Sequence, residues 1–336
     1  MDALVGFLNG PRARGAFLLR SVMDPPWSLR IRDEAPLTIA AVVRGTVWIL
    51  PDGADPRPMH VGDVALIRGP EHYTVADSPD TAPQVIIHPG QVCTTLDGVS
   101  VAEAMDQGVR TWGNSAQGAT VVLTGTYQGD GEISRRVTDA LPQLVVLRDG
   151  DWDCPVLPLL AAEIGKDDLG QAAVLDRLLD LLVVAALRAW FARPDARPPA
   201  WYQAHADPIA GRALRLLHNN PAHPWSVASL AAEVGISRAA LARRFAELVG
   251  EPPMTFLTSY RLALAADLLL EPGCTVAAVA RRVGYTSPFT FSTAFKRRYG
   301  TSPLAHRRSA TTPPTDPDTP LRHAAADTRP AETARR

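Results

Sequence analysis

Apolar and polar positions change rhythm along this chain. Between Pro36 and His88, short β-branched runs alternate with turns: LTIAAVV, TVWIL, DVALI, YTVA and QVIIH, broken at signals such as Arg44-Gly45 and Asp52-Gly53. That is the pattern of short strands. A further strand is expected over Ala119 to Thr126. Regular strands with such turns predict a small sandwich or barrel. From Pro158 to Ala192 the period lengthens, and Leu175, Leu178, Leu179, Leu182 and Leu187 form one broad helical face. Part of that face is expected to pack on its own strands and part on a second copy of the chain, as a helical hairpin does in a small bundle.

The stretch from Pro224 to Arg308 contains one pattern twice. WSVASLAAEVGISRAALARRFAELVGEPP is followed by CTVAAVARRVGYTSPFTFSTAFKRRYGTSP. The offset is 49 at the turn glycines Gly235 and Gly284 and 50 from Ser237 and Ser287 onward. Each copy predicts two helices joined by a glycine turn. Ser226 and Thr275 are the expected caps of the first helices, Ser237 and Ser287 of the second, with Pro288 at a favoured first position. Leu241, Phe245 and Leu248 are expected inside the first copy, and Phe291, Phe295 and Tyr299 inside the second. The outward faces then carry Ala239, Arg243 and Ala246, and Phe289, Ser292, Thr293, Lys296 and Arg297. Met254 to Leu270 reads as one uninterrupted helix between the copies.

These residues resemble the DNA-binding domain of AraC/XylS-type bacterial transcription regulators. GISRAALARRF, SYRLALAADLLL and VARRVGYTSPFTFSTAFKRRYGTSP carry the match over about a third of the chain. The resemblance implies that two helix-turn-helix units read successive major grooves of double-stranded DNA, spaced about 34 Å apart. On that pattern Ser237, Arg238, Ala239, Ala242, Arg243 and Arg244 of the first unit meet the duplex. In the second unit Ser287, Phe289, Thr290, Ser292, Thr293, Lys296 and Arg297 do so, with Pro288 also at a base-reading position. Ala239 and Ala242 offer only methyl groups. Arg243 is therefore the expected direct reader, bidentate to a guanine. Phe289 either touches a thymine methyl or packs on its own unit.

Charge agrees with this reading only once it is divided along the chain. The whole chain of 336 residues has a formal charge of −1, which by itself argues against nucleic acid. Asp207 to Arg308, however, holds 13 Lys and Arg against 6 Asp and Glu, whereas Met1 to Ala206 holds 17 against 25. The basic part is the part with the repeat, as phosphate neutralisation requires. No signal peptide is recognisable at the start, and Leu178 to Leu187 is too short to cross a bilayer and contains Asp180. Three cysteines, Cys93, Cys154 and Cys274, make neither a disulfide framework nor a zinc motif. A cytoplasmic, non-membrane protein is expected.

PPWSLRI, GDVALIRGPEHYTVAD, Leu141-Pro142 and DRLLDLLVVAALRAWF resemble the cupin-type sensory domain that accompanies such DNA-binding domains. The resemblance implies a cupin-like β-barrel with a helical dimerisation hairpin ahead of an all-α double helix-turn-helix, an α+β chain overall. His60, His72 and His88 lack the HxH pair of a cupin metal motif, and Arg68 stands where a proline is usual. No metal and no cofactor are expected. The barrel mouth is the expected effector site, lined by Trp27, Trp48, Arg68, His72 and Cys93. Cys93 and Cys154 are expected to be inert small hydrophobes, with thiol oxidation at either as the alternative input. The expected divisions are 1–192 for sensing and dimerisation, a proline-rich linker 193–206, DNA binding 207–308 with units 226–250 and 275–300, and a disordered tail 309–336.

The function implied is that of a transcription regulator rather than an enzyme. Its partners would be double-stranded DNA, a small-molecule effector, a second copy of itself and, if it is an activator, RNA polymerase. The rival is a cupin metalloenzyme fused to a DNA-binding module, which metal analysis of the purified protein would separate.

Overall fold

The computed structural model describes residues 17–127 and 131–309; the first sixteen residues and nearly all of the expected tail lie outside them. The amino-terminal part is built on two six-stranded sheets. The first runs β10 (Thr111–Trp112), β1 (Phe17–Met23), β11 (Thr120–Tyr127), β3 (Leu37–Arg44), β6 (Val64–Arg68) and β12 (Leu144–Leu147). The second runs β5 (Arg57–Met59), β4 (Val47–Pro51), β7 (Tyr73–Ala76), β2 (Ser28–Ile31), β8 (Val85–His88) and β9 (Val92–Thr95). The sheets face each other without closing into a barrel. The chain is α+β, with a cupin-like sandwich and a helical carboxy-terminal part.

The alternation of side chains assigns each face of the first sheet. Along β3, Leu37, Ile39 and Ala41 enter one core, while Ala40 and Val42 enter another. Val64 and Leu66 of β6 follow the first set, Ala65 and Ile67 the second. Both faces are therefore covered, which is why these strands read as nearly unbroken apolar runs. The inner face meets the second sheet. The outer face meets two helices, α2 (Val156–Glu163) and α3 (Gln171–Phe191), through Leu160, Leu175, Leu179, Leu182 and Leu187. Gly125 of β11 is required by that approach, because a Cβ there would lie 2.5 Å from a methyl of Leu179.

Between β11 and β12 lies a helix that no local signal announces, α1 (Glu132–Thr138). Gly131 precedes it and offers no side chain for capping. The orphan amides of its first turn instead reach across the molecule. Glu132 N–H donates to Asp267 Oδ1 at 2.7 Å and Ile133 N–H to Asp267 Oδ2 at 3.2 Å. Asp267 is 4% exposed and belongs to the carboxy-terminal part.

That part begins within the expected linker, where α4 (Ala200–Ala204) already forms, and continues with α5 (Ala210–Asn219). The first unit is α6 (Val227–Val234) and α7 (Arg238–Val249); the second is α9 (Val276–Arg282) and α10 (Pro288–Tyr299). Joining them is α8 (Pro253–Leu269), and α11 (Pro303–Ser309) follows. Each unit has a separate core: Leu214, Leu230, Leu241, Phe245 and Phe256 in the first, Leu268, Val279, Val283, Phe291 and Phe295 in the second. One inward position differs from expectation. Val249 is buried in the first unit's core and Leu248 is 38% exposed, so the core lies toward the Val249 side of the helix.

Candidate nucleic-acid interface

Both outer helices start from a capped serine. Ser237 Oγ accepts from Ala240 N–H at 3.2 Å, and Ser287 Oγ accepts from Thr290 N–H at 3.4 Å. Each of these two hydroxyls thus has an acceptor site committed to its own helix. The preceding helices are capped in the same way: Ser226 and Ser229 form a reciprocal capping box, and Thr275 accepts from Ala278 N–H. Gly235 and Gly284 have φ of 77° and 87°, the left-handed conformation that turns the chain from one helix of each unit into the next. At Gly284 a side chain would also strike the backbone of Ala222, 2.8 Å away.

On the first unit, Arg238, Ala239 and Arg243 are exposed, and Ala242 is half-buried. Arg243 is 76% exposed, and its Nε lies 3.9 Å from Glu247, a loose surface pair that costs little to give up. Arg244 is committed elsewhere. Its Nε stands 3.1 Å from both carboxylate oxygens of Asp207, and that guanidinium holds the Asp207 carboxyl down at about 2. Asp207 also accepts from the N–H groups of Ile209 and Ala210 at the start of α5. Arg244 therefore braces the first unit, a role its position among outward residues concealed.

On the second unit Phe289 is 81% exposed, so it does not pack into its own core and its ring is presented outward. Thr290, Thr293, Lys296 and Arg297 are exposed, and Ser292 is half-buried. Thr293 Oγ1 donates to Phe289 carbonyl at 3.1 Å, which leaves the hydroxyl as an acceptor. Lys296 and Arg297 enter no ion pair among the described residues. Such helices, each with an exposed cationic face and separated by one continuous helix, suit the phosphates and base edges of a duplex.

Comparison with known proteins agrees. A cupin family model matches residues 2–192, more than half of the chain, and a helix-turn-helix domain model matches residues 230–309. An AraC-like transcription regulator of Streptomyces lividans is 31% identical over 93% of this chain and the whole of that protein. The chain belongs to the AraC-like family of transcription regulators. A second member, the HTH-type transcriptional regulator AlkR of Acinetobacter baylyi, is 26% identical over 92% of this chain and all of its own length. Among solved structures, the DNA-binding domain of AdpA in complex with a target DNA is 34% identical over 31% of this chain and 93% of that one, with a TM-score of 0.29.

The cupin-like half is the sandwich, and pockets open between its two sheets. A cavity of about 180 Å³ is lined by residues that include Phe17, Asp33, Gln91, Cys93, Trp112 and Thr124. An adjoining one of about 60 Å³ includes Trp27 and shares Ser21, Leu29, Tyr73 and Thr124. Of the residues expected at an effector site, Trp27 and Cys93 line these cavities; Trp48, Arg68 and His72 do not. Burial pushes the Cys93 thiol up to about 11, so it stays protonated near neutrality and is a poor nucleophile. His88 is bonded to Thr94 at 2.9 Å, and no group of three or more His, Cys, Asp or Glu among the described residues is placed to hold a metal. Nor is any described helix long and apolar enough to cross a membrane.

Two features of the site escaped the sequence. Asp33 and Trp112 of the cavity lie in loops or minimal strands that alternation does not detect. Asp267 did leave a signal: it is the one carboxylate inside LALAADLLL, a helix otherwise apolar on that stretch.

Proposed function

We propose that this regulator binds operator DNA through both units, Arg243 reading a base edge and Phe289 a thymine methyl while Lys296 and Arg297 neutralise phosphates. The observation that carries this reading is the pair of capped, outward cationic helices on either side of α8. Ser237, Arg238, Ser287, Thr290, Ser292 and Thr293 complete the proposed contact surface, with Ala239 and Ala242 giving close methyl approach. In this reading residues 207–308 form the DNA-binding domain. The protein acts in the cytoplasm as a homodimer, and it is not an enzyme. The dimer surface is the stripe of exposed Val174 and Leu181 and half-buried Leu178 and Ala185 on α3, spaced four, three and four apart as a helix pair requires.

A small effector in the sandwich would act on the DNA-binding half through a short route. Strand β11 supplies Thr124 and Thr126 to the cavity wall, and six residues after Thr126 the chain enters α1. That helix is held on α8 by Asp267. Arg136, also on α1, lies over the rings of Phe256 and Tyr260 at 5.3 and 5.8 Å and donates to Ser259 Oγ at 3.2 Å. A shift of β11 would move α1, which is docked on the helix that joins the two units.

Selection of bound fragments from a randomised duplex library by the purified full-length protein tests the DNA reading. A recovered motif whose footprint covers two adjacent major-groove faces, about 10 base pairs apart, is the expected result. Retention of random competitor with equal efficiency at moderate salt would refute it.

A further inference from the structure

The interior cavity has the features of a built site, and its chemistry narrows what it takes. This step rests on the reading above that the sandwich senses a small molecule. Most of its wall is apolar: Leu19, Leu29, Ile31 and Ile87 contribute hydrocarbon from both sheets. Ser21, Tyr73, Gln91, Thr124 and Thr126 also line it, and two further polar groups stand out. Asp33 is 8% exposed, and its carboxylate accepts from Ala35 N–H at 3.2 Å, from Gln91 Nε2 at 3.3 Å and from its own backbone N–H. Trp112 is also 8% exposed, and its buried Nε1 has no hydrogen-bond partner among them. A buried carboxylate with spare lone pairs and a buried N–H without a partner are each costly.

Backbone strain gathers at the same place. Among the described residues the non-glycine positions with positive φ are Glu34 at 55°, Gln91 at 63° and Arg110 at 48°. Glu34 follows Asp33, Gln91 supplies the bond to Asp33, and Arg110 lies two residues before Trp112. Strain of this kind persists where surrounding structure holds it and concentrates at ligand sites.

We propose that this cavity binds a compact, largely apolar ring compound carrying one hydroxyl group, an alcohol or a phenol. A hydroxyl can donate to Asp33 and accept from Trp112 Nε1. An ammonium would satisfy only the first, and a carboxylate would face Asp33 across an apolar space. Size sets the bulk. An engineered apolar cavity of about 150 Å³ accepts benzene, so about 180 Å³ with about 60 Å³ adjoining takes one ring and a short substituent. A polyhydroxylated sugar of similar volume would leave most of its hydroxyls against hydrocarbon.

Titration of the full-length protein without DNA, by calorimetry and ligand-observed NMR, tests this with three probes. The expected outcome is that p-cresol binds at least tenfold more tightly than toluene, its analogue lacking the hydroxyl, and that glucose does not bind. Asp33→Leu should bring p-cresol down to the toluene level while toluene is unchanged. Trp112→Phe, which keeps a ring in the wall, should weaken p-cresol severalfold and serves if the first variant does not fold. Equal binding of p-cresol and toluene, binding of glucose, or binding of none of the three would overturn the proposal. Because no DNA is present, these results are independent of whether the duplex selection succeeds.

Discussion

The two helix-turn-helix units share a backbone and differ in charge. Ser226 to Gly250 carries three arginines and two glutamates; Thr275 to Gly300 carries five cations and no acid. Within the first unit Arg244 is bound to Asp207 and Arg243 lies near Glu247, whereas Lys296 and Arg297 of the second are unpaired among the described residues. On the reading proposed above, the repeated fold has unequal tasks: the second unit holds a duplex mainly by its phosphates, with Phe289 as its one apolar base contact, and the first chooses among duplexes through Arg243 beside two alanines. Affinity and selectivity should therefore separate on mutation.

The largest effect tests whether the units are independent as folded bodies. Phe291 and Phe245 are each fully buried, in different cores. Phe291→Ala should cost about 3–5 kcal/mol and strip hydrogen-exchange protection from α9 and α10 while α6 and α7 keep theirs; Phe245→Ala should do the reverse. Simultaneous loss in both would show one cooperative body.

Acid should weaken the first unit selectively. His218 is 2% exposed, stacked on His205 at 5.7 Å and set edge-on to Phe256 and Tyr260. Burial above all, then His205 and Arg136, pushes its imidazole down to about 3 from an ordinary 6.5. Below pH 6.5 the unfolded chain takes up a proton that the folded one refuses, so stability present above that pH is lost as pH falls. The loss should be about 2 kcal/mol between pH 6.5 and 5. Melting curves of His218→Phe, compared with the parent over that range, should show a flatter dependence.

Arg243→Ala should cost about 1–3 kcal/mol on the selected operator and relax preference at one base pair. Equal loss on every duplex would place Arg243 on a phosphate and erase the division of labour. Replacing both Lys296 and Arg297 by alanine should weaken all duplexes alike and reduce the slope of log affinity against log salt by about 2, roughly one per phosphate contact. A change confined to particular sequences would mean that these two residues read bases.

The comparison also explains what could be read in advance. Strands β3 and β6 are covered on both faces, so their apolar runs identify them directly. By contrast, β1 holds Arg20 and Ser21 within FLLRSVM, and no alternation marks it. The four caps were legible because each is made within three residues of its helix start. Helix α1 was not, since its cap comes from Asp267, 135 residues beyond Glu132. Arg244 looked like a DNA contact because its partner, Asp207, lies 37 residues upstream.

By itself the sequence determined the repeat, the glycine turns, the capped helices and the segregation of positive charge, because each depends on residues a few positions apart or on local counts. Tertiary structure alone decided that the two sheets stay open, that Asp33 and Trp112 line the same cavity, and that Asp267 ties the amino-terminal half to the connecting helix. Those arrangements depend on groups brought together from distant segments, whose energies exist only once water has been removed from between them.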